Sequence, residues 1–184
     1  DPEIGGEYVA CDAFRDAALR AVEQRRPDVV VLAMSRKTTD RLFVHGQTFD
    51  GQQAVDEATR GLQRTVDRIR AAGVGVVLSD SPNRAPFFPS SCLAKKRDVR
   101  DCVFPTNRKP SIMAATARAM RDRVTLVRAN ATVCPRGTCY PVVGDVVVYQ
   151  DKLHFTQTFA RTLASRFAAG IEAAASAVST ARMS

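Results

Sequence analysis

The 184-residue chain has no tryptophan, only two histidines, and no apolar run that approaches a membrane-spanning length. Its longest apolar stretches, such as Val29 to Met34 or Val146 to Val148, stop far short of the ~20 residues that a span needs. Neither G-x-G-x-x-G nor a Walker-type glycine loop occurs, so nucleotide binding has no support. There is no C-x-x-C, and with His45 and His154 as the only imidazoles a Cys/His metal site has no spacing to build on. No metal or organic cofactor is expected. Ten glycines and nine prolines are too few for a collagen-like or low-complexity chain. The 45% apolar and 25% charged fractions are those of a globular protein, and the length suits one domain over residues 1–184.

Acidic residues are the scarcer charge: 27 Lys and Arg against 19 Asp and Glu leave +8 at neutral pH. Such a balance favours anionic partners in general. Nucleic acid is not among those expected, because the basic residues are scattered and no zinc-finger, RNP or basic-helix signature accompanies them. Weak attraction to anionic glycans or lipid headgroups fits the composition.

The five cysteines are Cys11, Cys92, Cys102, Cys134 and Cys139. Five with one left over can pair in fifteen ways, and proximity favours Cys92 with Cys102 and Cys134 with Cys139. Pro135-Arg136-Gly137-Thr138 is a turn sequence that brings the second pair together. Loops this short would each contribute roughly 2–3 kcal/mol on the chain-entropy account. Disulfides imply an oxidising compartment outside the cytoplasm. Cys11 is then either a buried free thiol or the partner of a cysteine upstream of Asp1.

Hydrophobic spacing predicts the elements. Asp12 caps a helix to about Arg25 with Phe14, Ala17, Ala18, Ala21 and Val22 on one face. Asp28 to Met34 and Val74 to Leu78 read as strands buried on both faces, with a helix from Gln52 to Ala72 between them. Val55, Ala58, Leu62, Val66 and Ile69 form that helix's apolar stripe, and Gly73 is its C-terminal cap. Ser35 to Asp50 reads as polar loop, and Ser79 to Pro110 as a long excursion. Ser111 opens a helix to about Arg123, and Val124 to Val127 is a third strand. A ribbon over Val142 to Tyr149 turns at Gly144-Asp145. Thr156 caps a last helix whose stripe, Phe155, Phe159, Leu163 and Phe167, is core. The alternation predicts an α/β fold: a three-layer α/β/α sandwich, flavodoxin-like, with a mostly parallel sheet.

One constellation has catalytic spacing. In Asp151-Lys152-Leu153-His154 the carboxylate and imidazole are three residues apart, between a strand-like segment and a helix. Asp151 can fix the tautomer of His154, leaving the second ring nitrogen to take a proton from a nucleophile.

Tyr149-Gln-Asp151-Lys-Leu-His154-Phe-Thr156 occurs together with Cys11-Asp-Ala-Phe-Arg15, Pro27-Asp-Val-Val-Val-Leu32, Ser79-Asp-Ser-Pro82 and the two local cysteine pairs. This ordered set resembles the SGNH-hydrolase-like domain attached to bacterial acyltransferase-family-3 membrane proteins, from Cys11 to about Leu163. The resemblance implies a domain on the periplasmic or extracellular face of the membrane. It also implies a membrane acyltransferase domain as partner, and movement of an acyl group, commonly acetyl, onto a sugar hydroxyl of a surface glycan or lipid-linked sugar. Asp151 and His154 correspond to its catalytic Asp and His.

The family's nucleophile lies in a G-D-S block at the end of a first strand, ahead of the segment corresponding to Cys11, and this sequence has no G-D-S. It also lacks the G-x-N-D that supplies an oxyanion donor; Met34-Ser35-Arg36 stands there instead. The serine and its strand are therefore expected upstream of this chain, leaving a sheet edge without a partner. Ser35, Ser79 and Ser81 end strands, but none sits in a nucleophile elbow. Ser35, through the oxyanion hole, and Arg36, through substrate orientation, are the candidate substrate-binding residues. The expected activity is acyl transfer by Ser-His-Asp chemistry. The alternatives are an esterase or deacetylase, or a non-catalytic glycan-binding or acyl-handover module without a nucleophile.

Overall fold

The computed structural model describes residues 8–34, 42–44, 46–106 and 111–183. These fall into two compact units. The first holds residues up to Ser79, Pro110–Val127 and Ala169 onward; the second holds Asp80–Lys109 and Arg128–Ala168.

The first unit carries a three-stranded sheet. Strands β1 (Val29–Ala33) and β4 (Gly75–Ser79) pair in parallel, with Val31 opposite Val77, and β4 pairs in parallel with β6 (Thr125–Val127). Between the first two runs α2 (Gly51–Ala71), and α4 (Ile112–Ala119) precedes β6. The α2 stripe is buried as its periodicity requires: Val55, Ala58, Leu62, Val66 and Ile69 all join one core with Leu19, Val76, Leu78, Ile112 and Met113. Gly73 follows the helix with φ 76° and donates to the Arg70 carbonyl at 2.9 Å, the left-handed stop that glycine adopts without strain.

Strand alternation separates the two faces of this sheet. Val76 and Leu78 point into the core shared with α2 and α4. Gly75 points the other way, where a Cβ would come within 2.7 Å of the Ala174 carbonyl oxygen, so α7 (Ala164–Met183) lies close over that face. Helices therefore cover both faces, and the α/β/α sandwich with a parallel sheet is the observed architecture.

Three expectations change in detail. Helix α1 (Val9–Arg25) starts before Asp12, with Tyr8 at its cap position, and it buries Leu19 instead of the Phe14 stripe. Phe14 is 75% exposed. Of the expected stripe only Val22 packs against that core, beside Leu19, while Phe14, Ala17 and Ala18 turn outward. The loop after β1 contains a hairpin, β2 (Leu42–Val44) with β3 (Gln47–Phe49), turning through Gly46 at φ 80°. Finally, β1 is not buried on both faces: Val31, on the face that α7 covers elsewhere, is 44% exposed, and β1 stands at the edge of the sheet formed by the described strands.

The second unit is built on disulfides and aromatic packing. Cys92–Cys102 and Cys134–Cys139 are bonded, and Cys11, in the first unit, is an exposed free thiol, so the buried alternative for it does not hold. Helix α3 (Pro89–Lys95), a 3₁₀ turn (Val99–Cys102) and β5 (Phe104–Pro105) order the excursion after Ser79. Strand β5 pairs with β7 (Thr138–Cys139), after α5 (Asn130–Val133). The expected ribbon is the hairpin β8 (Val142–Val143) with β9 (Val146–Val147), turning at Gly144 with φ 58°. Thr156 caps α6 (Gln157–Thr162) by accepting from the Phe159 N–H at 3.1 Å. That helix stops at Leu163 before α7 begins, where one continuous helix was expected. Phe159 and Leu163 are buried and Phe155 and Phe167 pack against them, so the stripe is core.

Candidate active site

After β9 the chain runs through buried Val148 and Tyr149 and then doubles back on itself. Tyr149 and Phe155 form an antiparallel bridge, and the Thr156 N–H donates to the Val148 carbonyl at 2.8 Å. The Gln150 N–H donates to the His154 carbonyl at 2.9 Å, closing residues 150–154 into a small loop.

Asp151 organises the interior of that loop. Its Oδ1 accepts from the backbone N–H groups of Leu153, at 2.7 Å, and His154, at 2.8 Å, the local side-chain capping that Asp favours in turns. Its Oδ2 lies 2.8 Å from Nδ1 of His154. The carboxylate is thus anchored to the backbone by one oxygen and to the ring by the other. The bond to the imidazole, followed by those from the Leu153 and His154 N–H groups, holds the Asp151 carboxyl down at about 2. An ionised carboxylate can only accept, so a neutral ring bonded to it carries its proton on Nδ1 and leaves Nε2 with a free lone pair. No described residue bonds Nε2. The His154 side chain is 71% exposed and that of Asp151 39%, so the pair stands open to an incoming group.

Two supports fix the loop. Beneath it runs a chain of rings, Phe87, Phe104, Tyr149, Phe155 and Phe159, with successive centroids 5.7, 5.6, 5.7 and 5.1 Å apart. Tyr149 and Phe155, at its two ends, are members of that chain. Beside it, the Ala85 N–H donates to the Lys152 carbonyl at 2.9 Å, and the Lys152 ammonium sits 4.8 Å from the centre of the Phe88 ring.

The segment bearing Ala85 is held in turn by a polar network that spacing does not reveal. Asp80 Oδ1 accepts from the Ala129 N–H at 2.7 Å. Buried Asn83 donates its backbone N–H to Asn130 Oδ1 at 2.9 Å and its amide to the sulfur of Cys139 at 2.9 Å. Asn130 also donates to the Ser81 carbonyl. The turn-forming run Ser81-Pro82-Asn83 was the available signal; its partners lie 47 to 56 residues away, beyond any local pattern.

A cavity of about 510 Å³ in the same unit is lined by Thr132, Val143, Val146, Phe159, Leu163 and Arg166, and does not include the Asp–His pair. In the first unit, α1, α2 and the ends of β1 and β2 enclose about 810 Å³, with Cys11 and Met34 at its wall. Ser35, Arg36 and His45 lie outside the described residues. Of the sequence candidates, the structure thus brings together Asp151 and His154. Among the described residues there is no group of three or more His, Cys, Asp or Glu that could hold a metal, and no helix long and apolar enough to cross a membrane.

Fold and site together define an α/β protein that presents a carboxylate-steered imidazole on a hydrogen-bonded loop. The family model for the SGNH domain (fused to AT3 domains) matches residues 2–169, and the chain belongs to that family. It is a hydrolase-like module of the kind joined to acyltransferase domains. No curated protein matches the chain.

Proposed function

We propose that the chain supplies the acid and base of an acyltransferase acting outside the cytoplasm, moving an acyl group, acetyl in the first instance, to a sugar hydroxyl of a surface glycan. The observation that carries this reading is the 2.8 Å contact between Asp151 Oδ2 and His154 Nδ1, with Nε2 left open. The two disulfides support an oxidising location, and the family supports a membrane acyltransferase domain as partner.

In the proposed reaction a serine outside these 184 residues gives its hydroxyl proton to Nε2 while its oxygen attacks the donor ester carbonyl. The imidazolium, steadied by Asp151, returns that proton to the departing alcohol. A sugar hydroxyl then gives its proton to Nε2 and attacks the acyl-serine, and the serine leaves with the proton. Water in place of the sugar makes the same machinery an esterase. Ser35 and Arg36 are proposed to assist oxyanion and substrate binding.

The test uses protein carrying the serine segment together with this chain, with transfer of labelled acetyl to a glycan acceptor as readout. His154→Ala should lower turnover about 10³-fold or more, the scale set by loss of a general base in a triad. Unchanged turnover would favour the second reading, a glycan-binding or acyl-handover module. That reading draws on the absence of any described hydroxyl bonded to Nε2.

A further inference from the structure

The net charge of this protein is divided very unequally. The first unit holds fifteen basic and fourteen acidic residues, whereas the second, which carries the Asp–His pair, holds twelve basic and five acidic, or seven of the eight net positive charges. Part of this excess stands directly beside the pair. Lys152 lies between Asp151 and His154 in the closed loop, and its carbonyl is tied to Ala85, so Arg84 and the segment leading to Phe88 are fixed next to it. The Lys152 ammonium rests against the Phe88 ring, which remains 53% exposed. Arg84 is exposed, as are Lys95, Lys96 and Arg97 at the end of the helix that Phe88 begins. None of these four has an acidic partner among the described residues.

We propose that Lys152, Phe88 and Arg84 form an acceptor subsite for an anionic sugar, one bearing a carboxylate or phosphate close to the hydroxyl to be acylated. This deepens the acyl-transfer reading and rests on it. The ammonium pairs with the sugar's anionic group, while the exposed part of the Phe88 ring covers an apolar face of the sugar. Docking the anion beside Lys152 brings a neighbouring hydroxyl toward His154, two residues further on. A sugar polymer fits better than a membrane surface, since one half-exposed ring held by a cation offers little to insert among acyl chains, whereas interfacial binding buries a whole apolar face.

Calorimetric titration of the chain with a defined oligogalacturonate, its neutral methyl-esterified counterpart and phosphatidylglycerol vesicles tests this. The acidic oligomer should bind and the neutral one should not. Lys152→Gln and Arg84→Gln should each weaken binding by about two- to fivefold, the range for exposed ion pairs. Arg118→Gln, an equal charge change in the first unit, should leave it unaltered. Equal weakening by Arg118→Gln, equal binding of the neutral oligomer, or binding to vesicles alone would each overturn the proposal. Turnover is read separately on a neutral ester, so a failed binding test leaves the acyl-transfer reading standing, and loss of that reading leaves the binding result intact.

Discussion

Replacing Asp151 by Asn separates the two jobs that this side chain performs. The amide oxygen of Asn can still accept from the Leu153 and His154 N–H groups, which lie 2.7 and 2.8 Å from Oδ1, so the 150–154 loop should keep its shape. The position now 2.8 Å from Nδ1 becomes an amide NH₂, which must donate where the carboxylate accepted. The ring then places its own proton on Nε2 and can no longer act as the base. In a buried triad the same exchange lowers kcat by about 10⁴. Here both partners are well exposed, so water competes for the pair and the ring can turn; a loss of about 10²- to 10⁴-fold is expected. The assay is ester turnover by protein carrying the proposed serine segment, with kcat and KM resolved and the folded fraction followed by urea denaturation. The fall should lie in kcat, with the denaturation midpoint and KM little changed. Full turnover in folded Asp151→Asn would refute the reasoning, because it would mean that the tautomer does not matter.

Gly75→Ala should destabilise the chain by about 1–3 kcal/mol, because its Cβ would meet the Ala174 backbone oxygen at 2.7 Å and α7 would have to shift; urea denaturation reads this. Asn130→Ala removes the acceptor of the Asn83 N–H and the donor to the Ser81 carbonyl, and should cost about 1–3 kcal/mol by the same method. The Asp151 carboxyl, lowered from 3.8 to about 2, should titrate near that value by carbon NMR. Its contribution to stability is fully present above the unfolded value and is lost as pH falls from about 4 through about 2; titration at the ordinary carboxylate value would contradict the bonding described.

The parts of this molecule written in local pattern were legible before the structure. The α2 stripe repeats at helical spacing over five residues, and every one of them is buried. The D-x-x-H spacing placed both side chains in one loop, where they meet. Both disulfides close short loops that proximity alone singled out. Other features were settled by distant contacts. Phe14 has helical spacing with Ala17, Ala18 and Ala21, yet packing of Leu19 against α2 and its neighbours decides which face of α1 turns inward. The short β2–β3 hairpin offered only Gly46 as a turn signal. The roles of Asn83 and Asn130 were not legible, because the groups they satisfy belong to segments far along the chain. Nothing in the local pattern around Lys152 points to the Phe88 ring beside it, 64 residues earlier in the chain.

Nitrogen NMR of the neutral His154 ring in the 184-residue chain is the most direct measurement. A proton on Nδ1 shared with Asp151, and an unprotonated Nε2, is the predicted spectrum. A ring protonated on Nε2 alone would contradict the account, since no base would then face the incoming hydroxyl.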